Sequence, residues 1–191
     1  MNDDAILDDE ILAHLKAQGD PNRKHATFFE WYDRTPFGKG IAESGIVDEL
    51  LDAMKVQGRN DYRNLGASGE EWPDVWLQGS EGRRVACEVT GLVDKAALRA
   101  GHPRAWTATE LVDRLQAKVR TKGLRSLGGL RGDQSILLIH TDEQTLNADN
   151  VATMLTNVVF IKAPTIGRVF FLLSYDPKRG GYRYFELELA A

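Results

Sequence analysis

Three carboxylates stand out along the chain because their settings are ones in which a charge needs a partner: Glu43, Asp74 and Glu88. Glu43 lies three positions before Ile46 and four before Val47, so on a helix it shares the apolar face, whereas Asp48, Glu49 and Asp52 fall nearer the opposite side. Asp74 follows Pro73 at the head of the run Val75-Trp76-Leu77. Glu88 sits mid-strand in Arg83-Arg84-Val85-Ala86-Cys87-Glu88-Val89-Thr90, where buried charge is disfavoured unless it is paired. A turn at Gln78-Gly79-Ser80-Glu81-Gly82 joins the last two segments into a hairpin and brings Asp74 alongside Glu88. Carboxylates about 4 Å apart repel by roughly 4 kcal/mol per pair at an effective dielectric near 20. Proton uptake is one relief, and a hard divalent cation is the other. Such a cation also activates water and offsets charge on a phosphodiester as it is cleaved.

The elements that must position these groups follow from periodicity. A helix is expected from about Gly40 to Gln57, with Ile46, Val47, Leu50, Leu51 and Met54 inward, ended by Gly58. A short strand is expected around Asp61 to Leu65. In the second strand of the hairpin, alternation sets Val85, Cys87 and Val89 on one face and Ala86, Glu88 and Thr90 on the other. A helix capped by Thr107 or Thr109 runs to about Lys122, with Leu111, Leu115 and Val119 buried, Lys118 and Lys122 bordering that stripe, and Gly123 at its end. Strands follow at Ser135 to His140, Arg168 to Ser174 and Tyr182 to Leu189, with a helix near Ala148 to Leu155. Residues 1–39 read as a helical N-terminal extension, and 40–191 as a single α/β domain with a mixed central β-sheet flanked by helices.

The order of a helix with Glu43, then Pro73-Asp74, then Glu88-Val89-Thr90 on the adjoining strand, then a lysine-bearing helix and a further strand, resembles the core of the PD-(D/E)xK nuclease superfamily over roughly Gly40 to His140. The resemblance implies a restriction-endonuclease-like core and a metal-dependent phosphodiesterase acting on DNA or RNA. It implies Mg²⁺ or Mn²⁺ as cofactor, Asp74 and Glu88 as catalytic metal ligands, Glu43 as an accessory ligand and the Val89 carbonyl as a further one. Thr90 stands where the family's motif has lysine. A hydroxyl orients water but supplies no positive charge. Either Lys118 or Lys122, one turn apart, is then expected to provide that charge from the helix, with Gln116 a weaker polar candidate. The competing reading is a catalytically inactive module that keeps the fold to bind nucleic acid or a protein partner.

Composition narrows the rest. The 191 residues are 42% hydrophobic and 27% charged, with 18 Gly and 6 Pro, which excludes disordered, collagenous and low-complexity classes. The net charge of −4 hides a divided chain. Five acidic residues and no Lys or Arg occupy the first fifteen positions, while Lys95 to Arg131 holds nine basic residues against two acidic ones. Within it Arg114, Lys118, Arg120, Lys122 and Arg125 are the expected nucleic-acid contacts. One cysteine, Cys87, excludes an internal disulfide framework and alternates inward as a core residue, so a cytoplasmic location is expected. No apolar run approaches the roughly 20 residues a bilayer requires, so no membrane partner is expected, and a homo-oligomer is left open. The four histidines lack metal-ligand spacing, His140 reading as structural, and no phosphate-cradling glycine loop precedes a helix. Trp31, Trp72, Trp76 and Trp106 suit a core better than base stacking.

Overall fold

The computed structural model describes residues 36–69, 72–93, 105–123, 134–143 and 145–190. The expected helices before residue 36 and the position of Arg125 lie outside these residues.

Helix α1 (Pro36–Val56) is followed by strands β1 (Tyr62–Ala67), β2 (Val75–Gly79) and β3 (Arg84–Gly91). Next come helix α2 (Ala108–Gly123), strand β4 (Ser135–His140), helix α3 (Ala148–Met154) and strands β5 (Arg168–Leu172) and β6 (Tyr184–Leu187). Helix α1 begins at Pro36 rather than near Gly40, since proline suits a first helical turn whose N–H groups have no intrahelical acceptor. This places Lys39 one turn before Glu43. At its other end Gly58, at φ +76°, donates to the Lys55 carbonyl at 2.9 Å, as a left-handed helix stop does. Helix α2 starts with a reciprocal cap: Thr107 Oγ1 accepts from the Glu110 N–H at 3.3 Å and Glu110 Oε2 accepts from the Thr107 N–H at 3.1 Å. It ends against the chain at Ala163. A Cβ on Gly123 would lie 2.0 Å from that of Ala163, so only glycine permits this approach.

The six strands form one mixed sheet in the order β1-β2-β3-β4-β5-β6. The pairs β1/β2, β2/β3 and β5/β6 are antiparallel, and β3/β4 and β4/β5 are parallel. Every residue of the central strand β4 is buried, because helices cover both of its faces. On one face Val47, Leu50 and Met54 of α1 pack with Val75, Leu77, Val85, Cys87 and Val89. On the other, Leu111, Leu115 and Val119 of α2 pack with Leu137, Ile139 and Phe171 and with Val151 of α3. The alternation along β3 is as the sequence indicates, so Glu88 and Thr90 belong to the α2 face. The final strands are shorter than expected and enclose the Asp176–Gly181 turn.

Away from that end of β3, Arg59 and Arg168 tie the start of β1 to β6. Arg168 forks onto Glu186 at 2.7 and 2.9 Å and donates to the Tyr62 hydroxyl at 2.5 Å, while Arg59 donates to Glu186 at 3.1 Å. These pairs are structural, joining the two edge strands around α1. Among the described residues no helix is long and apolar enough to cross a membrane.

Candidate active site

The β2/β3 ladder ends at Val75↔Cys87, so Asp74 falls next to Glu88 at the point where pairing stops. Pro73 there lends its carbonyl to the Ser68 hydroxyl instead of to β3. The Asp74 carboxylate takes over the vacated ladder position, its Oδ2 accepting the Val89 N–H at 2.8 Å. Asp74 therefore turns toward α1, and meets two of that helix's side chains. Lys39 Nζ lies 3.3 Å from Asp74 Oδ1 and 3.2 Å from Glu43 Oε1. Glu43, buried on the apolar face as expected, thus shares Lys39 with Asp74.

Two buried carboxylates in contact cannot both be comfortably ionised. Burial, and then the Asp74 charge, push the Glu43 carboxyl up to about 7 from its ordinary 4.5, against the pull of Lys39. Glu43 thus carries the proton of the pair near neutrality. The sign for stability follows. Between pH 4.5 and about 7 the native chain holds a proton that the unfolded chain has released, so stability is full below 4.5 and declines as pH rises through 7. Urea unfolding in EDTA should show this decline in the parent and a flatter profile in Glu43→Gln. Equal slopes would contradict the shared proton.

Glu88 is served from the other side of the sheet. Lys122 of α2 forms a hydrogen-bonded ion pair with Glu88 Oε1, and Lys118 Nζ donates to Thr90 Oγ1 at 3.3 Å. Both lysines named from the sequence therefore reach β3, Lys118 at the very position where the motif lysine is replaced. The Asp74, Glu88 and Glu43 charges all act on one atom: after burial itself, they push the Cys87 thiol well above its ordinary value. Cys87 is an inert core residue. His140, ending β4, is buried against Gly91. Burial lowers its pKa, Asp142 opposing and the Lys118 ammonium adding to the effect, so it stays neutral beside that lysine.

Of the expected metal ligands, Glu43 and Asp74 thus meet on Lys39 at the α1 side, whereas Glu88 faces the α2 side in its pair with Lys122. Among the described residues no group of three or more His, Cys, Asp or Glu side chains is arranged to hold a metal ion. The Glu43–Asp74 pair, buried beside one lysine, nonetheless has the donor chemistry that Mg²⁺ accepts from one or two carboxylates while keeping its waters. Lysines relieve the repulsion in addition to the proton, a solution that spacing along the chain does not disclose. Lys39 is the residue sequence reasoning missed. The signal was its i,i+4 spacing to Glu43, obscured by expecting the helix to start near Gly40, four residues after Pro36.

The remaining candidates fall elsewhere. Gln116 is occupied by the Ile161 backbone, accepting its N–H at 2.7 Å and donating to its carbonyl at 3.1 Å. It is not at the site, because it lies on the helix side turned toward the 158–163 segment. Glu49 accepts from the Tyr182 hydroxyl at 2.7 Å. Arg114 and Arg120 are exposed on α2, and Arg114 continues the i,i+4 row of Lys118 and Lys122. Trp106 is buried, whereas Trp72 and Trp76 are half-buried and meet edge to face at 6.5 Å.

No protein-family model matches the chain, and no solved structure matches it. It is similar to Crinkler effector protein 108 of Phytophthora sojae, 27% identical over 108 residues, which is 54% of this chain. The aligned part is 12% of that protein's length.

Proposed function

We propose that the chain is a divalent-metal-dependent nuclease, hydrolysing DNA or RNA phosphodiester bonds on a restriction-endonuclease-like core of the PD-(D/E)xK kind. The observation that carries this reading is the meeting of α2 with β3: two lysines arrive at Thr90 and Glu88, so positive charge returns to the motif that lacks its own. The element order α1, three antiparallel-paired strands, α2 and the parallel strand β4 supports it further. Asp74 and Glu43 would hold Mg²⁺ or Mn²⁺, which when bound supplies an activated water and charge stabilisation, and Glu88, held on the α2 side by Lys122, would join them only by leaving that lysine. Asp74, fixed by the Val89 N–H, is the rigid member of the set. Lys118 and Lys122 would offset charge gathering on the phosphate oxygens.

Lys39 would act as the cation's competitor, since its ammonium already touches both carboxylates while its side chain is 55% exposed. Lys39→Met is therefore expected to tighten Mn²⁺ binding about ten-fold in calorimetric titration, like charges being disfavoured near a dication. Unchanged or weaker binding would remove Lys39 from that role.

The second reading, an inactive module binding nucleic acid or a protein partner, is favoured by one observation. Lys39 and Lys122 already balance Asp74 and Glu88 without any bound ion. The two readings part on a single assay: the purified chain with Mg²⁺ or Mn²⁺ against single- and double-stranded DNA and RNA. Cleavage that Asp74→Asn abolishes supports the nuclease, and folded protein inert toward all four selects the module.

A further inference from the structure

The sheet face that carries Glu88 and Thr90 continues past α2. Val75 and Leu77 point to the α1 side, so Trp76 and Gln78 point to the α2 side. Tyr62 packs against the α1-side core and Asn64 bonds Ser44 and Asp48 of α1, so Arg63 is on the α2 side as well. Arg84 joins them, its guanidinium 4.5 Å over the Trp76 ring. Among the described residues, the apolar cluster beneath α2 and α3 includes none of β1 or β2, so that half of the face lies outside that cluster. Arg63 and Arg84 are exposed, and neighbouring Leu65 is 45% exposed.

We propose that this half-face, with Arg63, Trp76 and Arg84 as its floor and the Arg114–Lys118–Lys122 row of α2 along one side, is a platform for single-stranded nucleic acid. Its direction toward Glu88 as the cleavage point rests on the nuclease reading; the binding itself does not. A stacked Trp–Arg plane is a surface on which an unpaired base can lie, since every base has a π-face. The flanking guanidinium and ammonium groups suit the phosphates between bases. A duplex keeps its bases stacked on one another and cannot present them to such a plane. Trp76 pairs with Ala86, and Ala86 is two residues before Glu88, about 7 Å along the strand. A base resting on the Trp76–Arg84 stack thus leaves the adjoining backbone beside Glu88 on the same face.

The test uses the full chain in EDTA, so that binding is read without cleavage, with fluorescence anisotropy of labelled oligo-dT, oligo-U and a hairpin duplex. Both single strands are expected to bind, more weakly as salt rises, and more tightly than the duplex. The relative strength of the DNA and RNA arms identifies which is preferred. Trp76→Ala should weaken single-strand binding about ten-fold or more, and Arg84→Glu, a substitution at an exposed position, should do likewise while keeping the parent's circular dichroism. Single-strand binding unchanged by Arg84→Glu, equal affinity for the duplex, or no binding by the folded chain overturns the platform. Binding that depends on Trp76 and Arg84 without any Mg²⁺-dependent cleavage upholds the platform and removes the nuclease reading. Cleavage that both variants leave intact does the reverse.

Discussion

Asp74→Asn should lose Mg²⁺-dependent phosphodiester cleavage by about 100-fold or more while remaining folded. The magnitude is that expected when one preorganised electrostatic contributor to the transition state is removed. The amide is the informative replacement because its oxygen can still accept the Val89 N–H that Asp74 Oδ2 accepts at 2.8 Å. Asp74→Ala would confound the result: it leaves that buried N–H without an acceptor, at about 1–3 kcal/mol. Rate should therefore collapse in Asp74→Asn with urea stability nearly unchanged, and a variant that cleaves at the parental rate would exclude Asp74 from the chemistry.

Lys122→Met should be the most destabilising of the substitutions at this site, by about 3–5 kcal/mol, the range for breaking a buried ion pair from one side. Glu88 and Lys122 side chains are 9% and 17% exposed, so water cannot replace the lost partner. The double substitution Glu88→Gln with Lys122→Met should recover much of that loss, because an amide in apolar surroundings is far less penalised than an unpaired carboxylate. Chemical denaturation of the single and double variants reads the coupling directly. A single variant as stable as the parent would show that the pair is solvated and that Glu88 is free to serve elsewhere. Lys118→Met is expected to differ in kind, since Lys118 contacts a neutral hydroxyl: little change in stability, and a fall in cleavage rate if it is the returning lysine.

What was legible in the sequence was whatever a period reveals. The alternation of Val85, Cys87 and Val89 against Glu88 and Thr90 fixed which face each takes, and the stripe of Leu111, Leu115 and Val119 put Lys118 and Lys122 at its border. The mixed sheet and its flanking helices followed from the same patterns. Less legible was where Asp74 turns. It lies just outside the β2 ladder, so strand alternation does not govern it, and the backbone N–H of Val89, one position past its expected neighbour Glu88, captures it. The lysine partners were partly hidden for the same reason: Lys39 and Lys122 approach from separate helices, and no spacing along the chain reports a meeting in space. The links from Arg59 to Glu186 and from Arg168 to Tyr62 across the sheet's edges were wholly out of reach, since those partners lie more than a hundred residues apart.

On the proposed reading Glu43 and Asp74, joined by Glu88 once it leaves Lys122, form a place for a divalent cation rather than a closed set of internal ion pairs. Mn²⁺ titration of the metal-free chain, followed by isothermal calorimetry at neutral pH, addresses it most directly. Saturable binding that Asp74→Asn eliminates and Lys39→Met strengthens is the result expected. Absence of binding in the folded parent, or binding that Asp74→Asn leaves unaltered, would contradict it.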